Sequence, residues 1–160
     1  MRLLKPLWTS VKTASALIFP AVYISDSFFT FMRVPDGSML PTLQHGTLLK
    51  CDWILVVRYG QLQCDDVVTL RCPYQNEVVV SRILAIESCS ISKQGGPTTV
   101  IPKGHCWVKG DNHAHPNGCK EYEMISNGLI EGRAIVIVWP FARIGKISPA
   151  ASKSFGIQVY

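Results

Sequence analysis

The sequence predicts a mainly β protein attached to one N-terminal transmembrane helix. Two observations carry that reading. Thr13 to Met32 is a run of 20 residues whose only charge is Asp26. From Val34 onward the chain breaks into short runs rich in Val, Ile and Leu, with Pro, Gly and Asn clusters between them.

Twenty mainly apolar residues are enough to cross a bilayer as a helix. Arg2, Lys5 and Lys12 precede the run, no acid occurs before Asp26, and Arg33 closes it. Basic residues ahead of a span hold the N-terminus on the side where insertion starts, which leaves the remainder across the membrane. Two features oppose a regular span: Pro20 kinks a helix, and a mid-span carboxylate costs ~2.5–3.5 kcal/mol on insertion scales. A cleaved secretory signal has a shorter apolar core and an A-x-A-like site, which this segment lacks. A basic, acid-free start is also the pattern of mitochondrial targeting. A retained anchor is the reading taken here.

The β-type runs are TLLKCDWILVV (47–57), DDVVTLR (65–71), EVVVSRILAI (77–86), TTVI (98–101), HCWVKG (105–110) and AIVIVWP (134–140). Several short strands separated by turn residues point to an all-β sandwich or barrel. There is no internal repeat or low-complexity segment. The expected organisation is a targeting and anchor segment over 1–33, a β domain over 34–145 and a tail over 146–160 that lacks periodicity.

The chain has 160 residues and a formal charge of +5, enough for one domain with a modest core. Its basic residues form no cluster interleaved with aromatics, so no nucleic-acid partner is expected. Six cysteines are scattered without a CxxC pair, and most of them read as small core residues.

The chemistry concentrates around VPDGSMLPTL (34–43). Ser38 lies between Gly37 and Met39, with Pro41 and Thr42 following. On its own this is a turn, since Gly and Pro both interrupt regular structure. Three further features raise Ser38 to a candidate nucleophile: the preceding span, the strand containing Arg82, and KGDN at 109–112.

Together, the Ser-Met-x-Pro-Thr stretch, EVVVSRILAIE, VIPKGHCWVKGDNHAH and GLIEGRAIVIVWP occur in an order that resembles the type I signal peptidases. These are membrane-anchored enzymes with a serine–lysine dyad. Within them the chain is most similar to the mitochondrial inner membrane peptidases of the subunit two type. The resemblance implies a β-rich, signal-peptidase-like catalytic domain in the intermembrane space. Its substrates would be imported precursor proteins carrying sorting signals. The partner implied is another inner membrane peptidase subunit, and no cofactor is needed. Ser38 would be the nucleophile and Met39 would help line shallow pockets for small side chains. In such a dyad the lysine acts as base only where burial disfavours its charge.

The chain departs from that pattern where the base should be. Ser81 stands at the lysine position, followed by Arg82; serine has no useful basicity near neutral pH and arginine stays protonated. General-base assistance is worth ~10²–10⁴-fold in rate. Gly118 and Cys119 stand where an Asp-Ser pair is expected. Asp65 replaces a turn glycine, and Asp36 puts a carboxylate two residues before the nucleophile. A carboxylate facing the site would oppose an oxyanion.

His113 and His115 are candidate substitute bases, because histidine titrates in the right range and the family places that loop near the dyad. His113-x-His115 with Cys119 does not match the usual zinc spacings, so no metal is expected. His105 reads as a hydrogen-bonded strand-end residue and His45 as solvent-exposed. Two functions remain open: a serine endopeptidase with a rewired base, and a non-catalytic partner that stabilises an active peptidase subunit.

Overall fold

The computed structural model describes residues 27–47, 50–72, 77–93, 98–112, 124–147 and 157–159, together with 16, 18, 20, 22 and 23. Its strands are β1 (Phe29–Arg33), β2 (Trp53–Val57), β3 (Val67–Arg71), β4 (Val78–Ala85), β5 (Ser90–Lys93), β6 (Thr98–Val100), β7 (His105–Lys109), β8 (Met124–Ser126), β9 (Ile130–Trp139), β10 (Gly145–Lys146) and β11 (Ile157–Val159). Eight of them form one sheet in the order β1-β2-β9-β3-β4-β7-β8, with β10 also on β9. A second sheet runs β11-β5-β6. The mainly β expectation therefore holds.

Strands β3 and β4 are buried on both faces, which explains why their sequences are continuous apolar runs rather than alternations. Val67 and Val80 point into a cluster with Val34, Met39, Leu43, Ile54 and Val56. Val68, Leu70, Val79 and Ile83 point the other way, onto Cys106, Val108 and Ile125. Each such fully buried aliphatic side chain is worth ~1.5–3 kcal/mol relative to exposure. A third cluster, Leu84, Ala85, Ile91, Ile101 and Trp107, joins β4 and β7 to the small sheet.

Four of the six β-type runs contribute a strand close to the expected limits, and β9 begins four residues before the run at 134–140. The run at 47–57 contributes only its second half. Before Trp53 the chain turns, and Asp52 is fully buried because it accepts from the Gln44 backbone N–H at 2.8 Å and pairs with Arg143 at 3.0 Å. Cys51 and Cys106 are buried core residues, whereas Cys64 is exposed and Cys72 is disulfide-bonded.

The sheet begins earlier than the expected boundary at Val34. The last four residues of the apolar run, 29–32, belong to β1 and pair with β2 in the register Phe29↔Val57 to Arg33↔Trp53. Most of residues 13–28 lie outside the described residues. Among the described residues, no helix is long and apolar enough to cross a membrane. Part of the expected tail is also ordered into strands: β10 pairs with β9 and β11 with β5.

Strand β9 joins the most neighbours, lying between β2 and β3 and also carrying β10. Gly132 is what lets β2 come close. A Cβ there would sit 2.6 Å from Val56 Cγ1 and 2.8 Å from the Val57 carbonyl oxygen. The second of these is backbone and cannot swing aside. Gly132→Ala is expected to lower stability by about 1–3 kcal/mol, the usual cost of overpacking, seen as a lower urea midpoint with an unchanged m-value.

Candidate active site

The segment after β1 drops into the core and turns. Asp36 is extended, and Gly37–Met39 form one buried 3₁₀ turn. The turn is closed by Leu40 N–H donating to the Gly37 carbonyl at 3.3 Å and Leu43 N–H to the Met39 carbonyl at 2.9 Å. Met39 anchors it, with no exposed surface, in the cluster that also holds Leu43 and Val80. The turn packs beside the first half of β4, where β3 occupies one side and β7 pairs only from Arg82 onward.

That position leaves β4 carbonyls free to meet the turn. The Ser38 hydroxyl lies 2.9 Å from the Val80 carbonyl oxygen and 2.8 Å from Asp36 Oδ1, both acceptors. One hydroxyl proton is thus offered to two oxygens, one of them on a carboxyl group. Ser81 is the next residue of β4, buried and opposite Val68 of β3. Among the described residues no hydrogen bond joins its hydroxyl to Ser38.

A second segment clamps the turn from the other side. Asn112 donates its side-chain amide to the Gly37 carbonyl and its backbone N–H to the Ser38 carbonyl, each at 2.8 Å. Gly110 passes so close that a Cβ would lie 2.6 Å from the Ser38 carbonyl oxygen. Any side chain at 110 would push Ser38 out of place. These contacts give KGDN its physical meaning.

Between them, Asp111 receives a two-pronged bond from Arg82, Nε to Oδ1 at 2.9 Å and Nη2 to Oδ2 at 2.8 Å. Thr42 adds its hydroxyl to Oδ2 at 2.5 Å. Arg82 spends a further donor on the Asp65 carbonyl at 2.8 Å. Asp65 has φ of 70°, the left-handed region that glycine enters freely. That accounts for why the resemblance calls for glycine there.

Burial pushes the Asp36 carboxyl above its ordinary value, against the opposing effects of the Ser38 side chain, the Ser38 backbone and the charge of His45. Its second oxygen, Oδ2, is buried with no hydrogen-bond partner among the described residues. His45 is exposed as expected, yet its ring lies over Gly37, with Cε1 2.7 Å from where a Cβ would stand. His105 opens β7, with Nδ1 3.2 Å from the Lys103 carbonyl oxygen. His113, His115, Gly118 and Cys119 lie outside the described residues.

The structure thus brings Ser38 together with Asp36, Val80 and the 110–112 segment. Sequence reasoning singled out Ser38, Asp36, Arg82 and KGDN, but it did not foresee the Arg82–Asp111 pair, the Thr42 bond to Asp111 or the Asn112 bond to Gly37. The polar Pro-Thr and Asp-Asn endings were the available signals.

The Arg82–Asp111 pair is almost completely withdrawn from water, at 1% and 5% side-chain exposure. Arg82→Met strands a buried carboxylate and is expected to cost about 3–5 kcal/mol in unfolding free energy. The double variant Arg82→Met/Asp111→Leu should recover part of that loss, because it removes the orphaned charge. Urea unfolding of the three proteins measures both.

No family model matches the chain. Among curated proteins, it is 33% identical over 132 residues to the mitochondrial inner membrane protease subunit 2 of Saccharomyces cerevisiae, covering 76% of this chain and 75% of that protein. The Mus musculus subunit 2 is 32% identical over 127 residues, covering 75% and 73%. The Arabidopsis thaliana ATP-independent inner membrane protease subunit 1a is 33% identical over 139 residues, covering 79% and 80%. Likeness of this extent, spread over three quarters of each chain and joined to a clamped serine turn, settles the kinship: the chain belongs to the mitochondrial inner membrane protease family.

Proposed function

We propose that the chain is a membrane-bound serine endopeptidase of the mitochondrial inner membrane. In this reading Ser38 is the nucleophile that cuts sorting or signal peptides from precursors imported to the intermembrane space. The observation that carries it is the Ser38 hydroxyl, held 2.8 Å from Asp36 and 2.9 Å from the Val80 carbonyl on a turn fixed from both sides. A serine that served only to shape the turn would not need its backbone gripped by Gly110 and Asn112.

The kinship supplies the protease role, the membrane and the expectation of a second peptidase subunit as partner. The run from Thr13 supplies the anchor and, with its preceding basic residues, the orientation. Ser81 at the family's lysine position favours a second reading, a non-catalytic subunit that stabilises an active partner.

Substituting Ser38 separates the two. In the enzyme reading, Ser38→Ala abolishes cleavage of a sorting-signal peptide while leaving the urea midpoint of the protein unchanged. In the partner reading, the same variant leaves processing in the assembled complex intact, and deleting the chain destabilises the other subunit.

Topology is tested independently. Protease added to mitochondria with a ruptured outer membrane should digest the β domain, and alkaline carbonate should leave the chain in the membrane pellet. A protected domain, or a chain released by carbonate, overturns the anchored orientation.

A further inference from the structure

We infer that Asp36 is the general base of this site, taking the Ser38 proton in place of the absent lysine. The inference rests on Ser38 being the nucleophile, as proposed above. Two groups accept from the Ser38 hydroxyl, Asp36 Oδ1 at 2.8 Å and the Val80 carbonyl at 2.9 Å. An amide carbonyl is far too weak a base to remove an alcohol proton. An arginine guanidinium offers donors and no acceptor, and that of Arg82 is bonded to Asp111 and Asp65. The Asp36 carboxyl is therefore the basic group already in contact with the nucleophile.

Its surroundings suit the task. Oδ2 is buried with no hydrogen-bond partner among the described residues, and burial of the carboxyl raises its affinity for a proton against the hydrogen bonds from Ser38 that lower it. The charge acting against burial comes from His45, whose ring covers Gly37. Two further cations lie near the turn, and each has its own carboxylate: Arg82 pairs with Asp111, and Arg143, which bonds the Thr42 carbonyl, pairs with Asp52.

The proton balance closes without another reactant. Ser38 Oγ bonds to the scissile carbonyl carbon, the carbonyl π pair moves onto its oxygen, and the Oγ proton passes to Asp36 Oδ1. Asp36 is then neutral, so it no longer repels the oxyanion formed beside it. Collapse re-forms the carbonyl and breaks the C–N bond, and the departing amine takes the proton from Asp36. Water then attacks the acyl-enzyme, giving one proton to Asp36, which returns it to Ser38 Oγ as the acid product leaves.

The test uses the full-length chain, a sorting-signal peptide, and an activated-ester probe that acylates serine and is read by mass spectrometry. Asp36→Asn keeps size and hydrogen bonding but cannot accept the proton. It should lower the cleavage and acylation rates ~10²–10⁴-fold with little change in KM, and Asp36→Glu should restore part of the loss. The wild-type rate should fall as pH drops through the raised Asp36 pKa, and that acidic limb should be missing in Asp36→Asn. An unchanged rate in folded Asp36→Asn, with Ser38→Ala inactive, rejects Asp36 and leaves the peptidase reading standing. An acidic limb near pH ~6.5 that survives Asp36→Asn assigns the proton to a histidine instead. If Asp36→Asn does not fold, the wild-type limb decides alone: a midpoint between the ordinary carboxylate value and ~6.5 supports Asp36, and any other rejects it. Cleavage or labelling that persists in Ser38→Ala, or a wild-type chain that shows neither, overturns the peptidase reading and Asp36 with it.

Discussion

A guanidinium almost fully removed from water must find an anion there, and Arg82 finds Asp111. The rest of the site depends on that pairing. Arg82 belongs to β4, whose preceding residues meet the Ser38 turn, and Asp111 belongs to the segment that grips the turn from the opposite side. One charge pair thus fixes the spacing between the two jaws that hold Ser38. Thr42 and the Asp65 carbonyl satisfy remaining donors and acceptors, which a buried pair needs if its attraction is to offset desolvation.

The arrangement separates holding from reacting. Strands β3, β4 and β9 supply the apolar burial, and Met39 ties the turn into it. The polar contacts of Gly110, Asp111 and Asn112 then set the turn's position by backbone approach and hydrogen bonding. The support grips Ser38 by its backbone, which leaves its hydroxyl to meet Asp36 and the Val80 carbonyl.

How much of this was legible in the sequence follows from what each feature depends on. Strands such as β4 and β9 announce themselves because burial on two faces requires long aliphatic runs. Strand β1 does not. It is an edge strand whose Phe29 and Phe31 are exposed, and its composition continues the apolar run before it, so it reads as the end of a span. Strands β5 and β8 are short and partly polar, with little periodicity to detect. In the site, Ser38 was visible from its turn residues and its place after the run. The Arg82–Asp111 bond joins residues 29 apart in sequence, and no spacing rule connects a strand residue with a loop residue at that distance. The same holds for Asn112 with Gly37, 75 residues apart.

Those long separations bear on when the site comes into being. Pairings between distant segments must meet the entropy of closing large loops before any contact rewards them, and sheets built this way form slowly. A chain that has emerged only as far as Ser38 carries that serine on an unsupported turn, lacking the carbonyl of Val80. Even at Val100 it has no clamp, because Gly110 to Asn112 are still to come. Strand β9, which joins β2 to β3, arrives later still. The serine is thus assembled by the last third of the chain, and an incompletely threaded or truncated molecule holds the motif without the site.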